Sequence, residues 1–389
     1  MNSAAKYVKP LALGFAMSLL PTFTFAQHYK QTNLVSDIMG MAPTHDPNLV
    51  NPWGLSRSSG SPWWVSDNGS GTSTLYNGTG GIIPINGTGI VNIPAPKGAP
   101  AGTKSTPTGT VFNGSSTDFL LPNGNGAAFI FVTEDGTISG WNGGTDAVRV
   151  VDNNDNGSAN GAVYKGCTTA DINGKRFLYV ANFRSGHIEV YDTTFQPAHL
   201  GPHAFDLEGD GDHDRDRDDR NSERIPPGFA PFNVQNIGGS LFVTYAKQDG
   251  RRHDDVAGDG NGFVEIFTPS GRHIGHLQHG SWLNSPWGVV WTPRDFGEFS
   301  NTILVGNFGS GWIAAFNGFT YKFIGFLKNP DDSILTIDGL WSLTFGNDNT
   351  TDNGAGPATA LFFTAGIQQE MHGLFGTLTP VDGLDGDEE

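Results

Sequence analysis

The phrase Pro52-Trp53-Gly54-Leu55 returns as Pro286-Trp287-Gly288-Val289, and each copy opens the same succession of short apolar runs and turns. After Trp53 comes an apolar run at 62–65, then Ser66-Asp67-Asn68-Gly69-Ser70-Gly71 and a second run ending at Asn77-Gly78. After Trp287 come the run at 302–305, then Gly306-Asn307-Phe308-Gly309-Ser310-Gly311 and a run ending at Asn317-Gly318. Runs at 129–141, at 177–191, from Pro231 to residue 267, and from Gly339 to residue 376 repeat the pattern without the full phrase. Six such units, spaced by roughly 50 to 60 residues, predict the blades of a propeller. One small antiparallel sheet cannot bury both faces alone, whereas a ring of them packs face to face and leaves no long free edge. The expected fold is therefore all-β, a six-bladed β-propeller with polar insertions, occupying 27–380 as one domain.

Asn-Gly pairs at 77, 86, 113, 142, 173 and 317 supply the positive backbone angles of tight hairpins. Fifty-five glycines and five methionines in 389 residues favour turns and strands over helices. The formal charge is −17. That balance argues against nucleic acid as a partner and leaves cations, cationic matrix or an uncharged ligand.

Lys6 and Lys9, an apolar stretch over 11–20 and Thr24-Phe25-Ala26 have the form of a secretory signal cut before Gln27. An uncleaved anchor is the alternative, but the apolar stretch is short for a bilayer span. The expected product is secreted or periplasmic, without a membrane span, and monomeric; an acidic tail follows at 381–389. Cys167 is the single cysteine and is expected as a buried small apolar residue.

Residues 206–224 alternate acids with His and Arg. Asp206, Glu208 and Asp210 precede Gly211, with Asp212 and Asp214 following, a spacing that offers hard oxygens to calcium. The twelfth position is Arg217 rather than a bidentate Glu, so this is not an EF-hand. A solvated polar insertion is the competing reading. A second insertion, 249–259, carries Arg251, Arg252, His253, Asp254 and Asp255, and the two together are expected to form a polar lid.

Asn68, Asn182 and Asn307 are read as equivalent positions of different units that converge on the channel mouth with Arg184, where a metal or polar ligand would bind. Turn architecture is the competing account of these amides. Asp67 and Glu134 are the carboxylates that would move a proton there. Trp53, Trp287 and Trp341 read as inter-blade packing. The histidines, among them His273, His276 and His279, read as scattered without metal spacing; His276 and His279 are three apart, an interval that in a strand faces opposite sides.

Leu34-Val35-Ser36-Asp37, Asn51-Pro52-Trp53-Gly54-Leu55 and His372-Gly373-Leu374-Phe375-Gly376 span nearly the whole chain. On these residues the sequence resembles a family of uncharacterised secreted bacterial proteins that recurrently carry a PEP-CTERM sorting tail. Residues 382–389 are acidic and lack the tail's apolar span. More distantly, the Pro-Trp-Gly repeats are similar to NHL-type and gluconolactonase-type six-bladed propellers, some of them metal-dependent lactonases or lyases. Two functions are thus open. One is a non-catalytic extracellular protein that binds a ligand or matrix component, with calcium. The other is a metal-dependent lactonase or lyase at the channel mouth.

Overall fold

The computed structural model describes residues 28–85, 87–155, 160–207 and 225–381. No residue among them is in an α-helix, and among these described residues no helix is long and apolar enough to cross a membrane. The chain begins with β1 (His28–Ser36) and β2 (Thr44–His45). Blade one is β3 (Pro52–Ser56), β4 (Trp63–Asp67), β5 (Thr72–Tyr76) and β6 (Ile90–Asn92). Blade two is β7 (Pro107–Phe112), β8 (Phe129–Thr133), β9 (Thr137–Trp141) and β10 (Val148–Asp152). Blade three is β11 (Tyr164–Ile172), β12 (Lys175–Asn182) and β13 (His187–Tyr191). Blade four is β14 (Phe229–Ile237), β15 (Ser240–Lys247), β16 (Gly262–Phe267) and β17 (His273–His276). Blade five is β18 (Pro286–Trp291), β19 (Thr302–Asn307), β20 (Ile313–Asn317) and β21 (Phe323–Phe326).

Blade six takes β22 (Leu340–Phe345), β23 (Leu361–Ala365) and β24 (Leu374–Val381) from the end of the chain, and β1 pairs antiparallel with β24 on its outside. The start of the chain thereby closes the ring, so no blade edge is left open at the join. Each first strand packs on the first strand of the next blade, from β3 through β7, β11, β14, β18 and β22 back to β3. The six-bladed all-β architecture is as the repeats predict. Buried clusters fill the spaces between neighbouring blades, such as Leu304, Ile313, Leu340, Leu361 and Phe363 between blades five and six. Cys167 is buried in one of them.

The β-bulge repeated in every first strand governs the channel. Between the first and second strands the pairs Pro52↔Asp67, Pro107↔Thr133, Tyr164↔Asn182, Pro231↔Tyr245, Pro286↔Asn307 and Leu340↔Ala365 are each followed at once by a register shift, and all but the blade-four pair open their ladder. A bulge re-aims the residue that it releases from the ladder. The released residues are Trp53, Thr108, Lys165, Phe232, Trp287 and Trp341. Close approach of neighbouring first strands explains the glycine that follows in several blades: a Cβ on Gly54 would stand 2.4 Å from the Thr108 carbonyl oxygen, and one on Gly288 2.7 Å from that of Trp341.

Candidate functional site

Five of the six released residues, all but Thr108, meet in one cluster. Trp53 stacks on Trp341 with ring centroids 3.5 Å apart, Trp287 stands edge-on to both at 6.2 and 6.0 Å, and Phe232 lies 5.9 Å from Trp341. All four rings are buried, as inter-blade packing requires. In blade three the same position is a lysine. Lys165, 2 % exposed, lies with its Nζ 5.0 Å from the Trp53 centroid, 5.7 Å from Phe183 and 6.0 Å from Phe232. A desolvated ammonium over three aromatic faces gains cation–π attraction but still needs a counter-charge. Glu134 supplies it through Oε1, and Asp254 Oδ1 lies 3.7 Å away. The Trp287 indole donates to the Lys165 carbonyl at 3.2 Å and fixes the strand beneath.

A second tier of equivalent residues follows the paired position of each second strand: Asn68, Glu134, Phe183, Ala246, Phe308 and Gly366. The backbone N–H groups of Asn68, Glu134, Phe183, Phe308 and Gly366 bond the carbonyls of Asn51, Thr106, Val163, Ser285 and Gly339. The sequence expectation that Asn68 is equivalent to Asn182 and Asn307 is therefore one residue out of step. The true equivalents of Asn182 and Asn307 include Asp67 and Thr133. These are hairpin residues, and their bonds say so. Asp67 is fully buried and accepts from Thr74 N at 2.8 Å and from the Thr72 and Thr74 hydroxyls, while burial holds its carboxyl well above the usual range. Asn307 accepts from Asn284 N and donates to the Trp312 carbonyl. Asn182 accepts from Val163 N and Ser185 N and donates to Glu189.

Asn68 instead faces the mouth. Its Nδ2 donates to Glu134 Oε2 at 2.7 Å, and its Oδ1 accepts from Asn51 Nδ2 at 3.4 Å. Asn51 also donates to Glu370 Oε2 at 2.7 Å, and its Oδ1 receives the Trp341 indole N–H at 3.1 Å. A polar chain thus runs from Glu370 of blade six through Asn51 and Asn68 of blade one and Glu134 of blade two to Lys165 of blade three. The 249–259 loop, between β15 and β16, adds blade four. His253 Nδ1 lies 2.8 Å from Asp254 Oδ1, a bond that raises the imidazole and lowers the carboxyl. Burial raises the carboxyl of Asp255 and, foremost, that of Glu370, which is pushed up to about 7.

Donor atoms of Glu134, His253 and Asp254 lie within 4.8 Å of one another. A divalent cation does not fit them well, because the Lys165 ammonium already stands between Glu134 and Asp254. The chemistry offered there is acid–base and electrostatic. Beside it opens a cleft of about 750 Å³ lined by Asn160, Gly161, Asn182, Arg184, Ser185 and the Gly250-Arg251-Arg252 turn. Arg184 donates through Nη1 to the Gly161 carbonyl at 2.8 Å. Its Nε is buried without a hydrogen-bond partner among the described residues.

Of the sequence candidates, then, Asn68 and Glu134 meet at the mouth, Asn182 and Arg184 line the adjoining cleft, and Asp67 and Asn307 are held inside hairpins. Lys165, Asn51 and Glu370 were missed. Lys165-Gly166 stands where Trp53-Gly54 and Trp287-Gly288 stand, so aligning the glycines would have exposed it. Of the proposed calcium ligands, Glu208, Asp210, Asp212 and Asp214 lie outside the described residues, as do the signal segment and the acidic tail over 382–389. Asp206 is described, 3.6 Å from His203 Nδ1.

No family model matches the chain. It is 29% identical over 358 residues to an uncharacterised protein of Acanthamoeba polyphaga mimivirus, covering 90% of this chain and 80% of that one. A second uncharacterised protein of the same virus is 28% identical over 359 residues, covering 90% and 85%. A third is 31% identical over 312 residues, covering 77% and 52%. Among solved structures, the hydrazine synthase of Kuenenia stuttgartiensis aligns with a TM-score of 0.43 at 14% identity, over 84% of this chain and 76% of that one. A streptogramin B lyase aligns with a TM-score of 0.47 at 11% identity, over 90% and 97%. The sequence relatives are viral proteins of unassigned activity, and the likeness to tailed bacterial proteins stands as an expectation.

Proposed function

We propose that the protein binds a small organic anion at the channel mouth, its acidic group held in the arginine-lined cleft and the rest of the molecule reaching Lys165 and Glu134. The observation that carries this is the convergence of Arg184, Arg251 and Arg252 on one cleft in a chain whose net charge is −17. Guanidinium groups lining one cleft offer forked N–H donors whose geometry matches a ligand carboxylate or phosphate. Phe183 joins the two parts, following Asn182 in the cleft and presenting its ring to Lys165. Citrate, titrated calorimetrically beside acetate and inorganic phosphate, is the probe. Binding is expected to weaken about tenfold or more in Arg184→Gln. Equal affinity in that variant, or no anion binding at all, would defeat the proposal.

A second reading, catalysis, is favoured by the juxtaposition of Glu134, His253 and Asp254 with a carboxyl, Glu370, that titrates near neutrality. In this reading the site opens a lactone or eliminates across an activated C–H bond. Glu134 or His253 takes the proton of the attacking water or of the C–H, Lys165 stabilises the resulting oxyanion, and the electron pair of the broken ring C–O bond departs with the ring oxygen. Turnover of a lactone panel that vanishes in Glu134→Gln supports it, and an unchanged rate refutes it.

Export follows as part of the proposal, because the Lys6, Lys9 and 11–20 pattern is that of a cleaved signal. Amino-terminal sequencing of exported material should begin near Gln27. Calcium at Asp206, Glu208, Asp210, Asp212 and Asp214 is likewise proposed; removing two of these carboxylates should abolish any calcium-dependent rise in melting temperature.

A further inference from the structure

We infer that blade four carries a separate site for a divalent transition metal, formed by Glu265, His273 and His276 on its two outer strands. Glu265 lies on β16 directly opposite His276 on β17. His273 belongs to the same face only because the ladder is irregular: Ile266 pairs with Gly275 while Phe267 pairs with His273, so two steps of β17 match one of β16. A bulge of this kind reverses the alternation of a strand and brings residues three apart to one side. The sequence alone leaves His273 and His276 among scattered histidines, and the bulge brings these two together.

The resulting geometry has the form of a ligand set. His273 Nε2 lies 2.6 Å from Glu265 Oε2, the two imidazoles are nearly parallel at 7° with centroids 6.5 Å apart, and one donor atom of each of the three residues lies within 4.8 Å of the others. Donors around a tetrahedral zinc stand roughly 3.4 Å apart with bonds of about 2.1 Å, so rotations of the side chains suffice for closure. Glu265 is 6 % exposed, an unusual place for a carboxylate without a fixed cation. A structural Glu–His hydrogen bond would account for His273 but not for His276, whose ring makes no hydrogen bond among the described residues.

Two imidazoles and one carboxylate suit zinc and neighbouring divalent metals rather than calcium. Three protein ligands leave a coordination position open. That position gives onto a groove of about 1120 Å³ between blades four and five, with Arg272 and Lys322 in its walls. Their charge favours an anionic ligand or hydroxide on the metal. The groove is held in shape by the blade-five turn, where the Tyr321 carbonyl accepts from Gln278 N at 2.9 Å and Gln278 Oε1 accepts from Phe323 N at 3.1 Å. The site is independent of the channel mouth and does not rest on the function proposed for it.

The test is calorimetric titration of zinc into the full-length, chelator-treated protein. The site should take up one zinc per chain, and His273→Ala, His276→Ala and Glu265→Gln should each weaken that uptake on the order of 100-fold or more, since losing even an outer partner of a metal ligand costs about 10–100-fold. Asp210→Asn with Asp212→Asn, in the acidic insertion, should leave it unchanged. Undiminished binding in His276→Ala, or loss through the insertion change alone, would overturn the assignment. Copper loading of the unaltered chain gives a readout that needs no variant to fold. Two equatorial nitrogens in its electron paramagnetic resonance spectrum are expected, and oxygen donors alone would overturn it.

Discussion

Blades one and five open with the same phrase and differ in what they present to the channel. In both, a proline starts the ladder, a bulge releases a tryptophan onto the axis, and a glycine lets the next blade approach. Above that level blade one carries Asn51 and Asn68, bonded into the chain that ends at Lys165. Blade five carries Ser285 and Phe308, the latter stacked on Trp341 at 4.0 Å. What the repeats share builds the ring, and the departures from the repeat carry the chemistry. The strongest departure is Lys165, a charge where other blades place aromatic rings or, in blade two, a hydroxyl.

The shared part should be equally intolerant in both blades. Gly54→Ala and Gly288→Ala each force a methyl against backbone of the adjoining blade, and losses of at least about 4 kcal/mol are expected in denaturant unfolding. A tolerant blade five would break the comparison. The divergent tier should respond unequally. Phe308→Asn removes an aromatic stack and costs about 2 kcal/mol. Asn68→Ala costs about 1 kcal/mol and shows mainly as weaker anion binding through the loosened Glu134.

How much of this was legible in the sequence follows the same division. The six blades were, because turn glycines and short apolar runs recur at fixed intervals. The channel tier was legible in kind but misregistered: Asn68 was matched to Asn182 and Asn307, although the shared Ser-Gly that follows in each unit aligns it with Phe183 and Phe308. Glu370 was not legible, since its role depends on a loop between β23 and β24 that brings it to Asn51 across the closure of the ring. Nor was the Glu265–His273–His276 cluster, which exists only because a bulge resets a face.

Glu370 gives a smaller, pH-resolved effect. Its folded value is about 7, above the ordinary 4.5, so between these values the folded chain binds more protons than the unfolded one and stability falls as pH rises. The penalty is absent below pH 4.5 and complete above pH 7. Glu370→Gln should therefore match the parent at pH 4 and exceed it by about 1–3 kcal/mol at pH 8. A variant less stable at pH 8 would show that the ionised carboxylate is held by interactions beyond the Asn51 amide.

The most direct measurement joins Lys165→Met with Glu134→Gln and follows unfolding and citrate titration on the same protein. Removing both members of a buried ion pair leaves neither charge stranded, so stability should stay within about 1 kcal/mol of the parent while anion binding falls tenfold or more. Collapse of the fold with binding kept in proportion to the folded fraction would contradict the account, because it would make Lys165 part of the architecture that the repeats share.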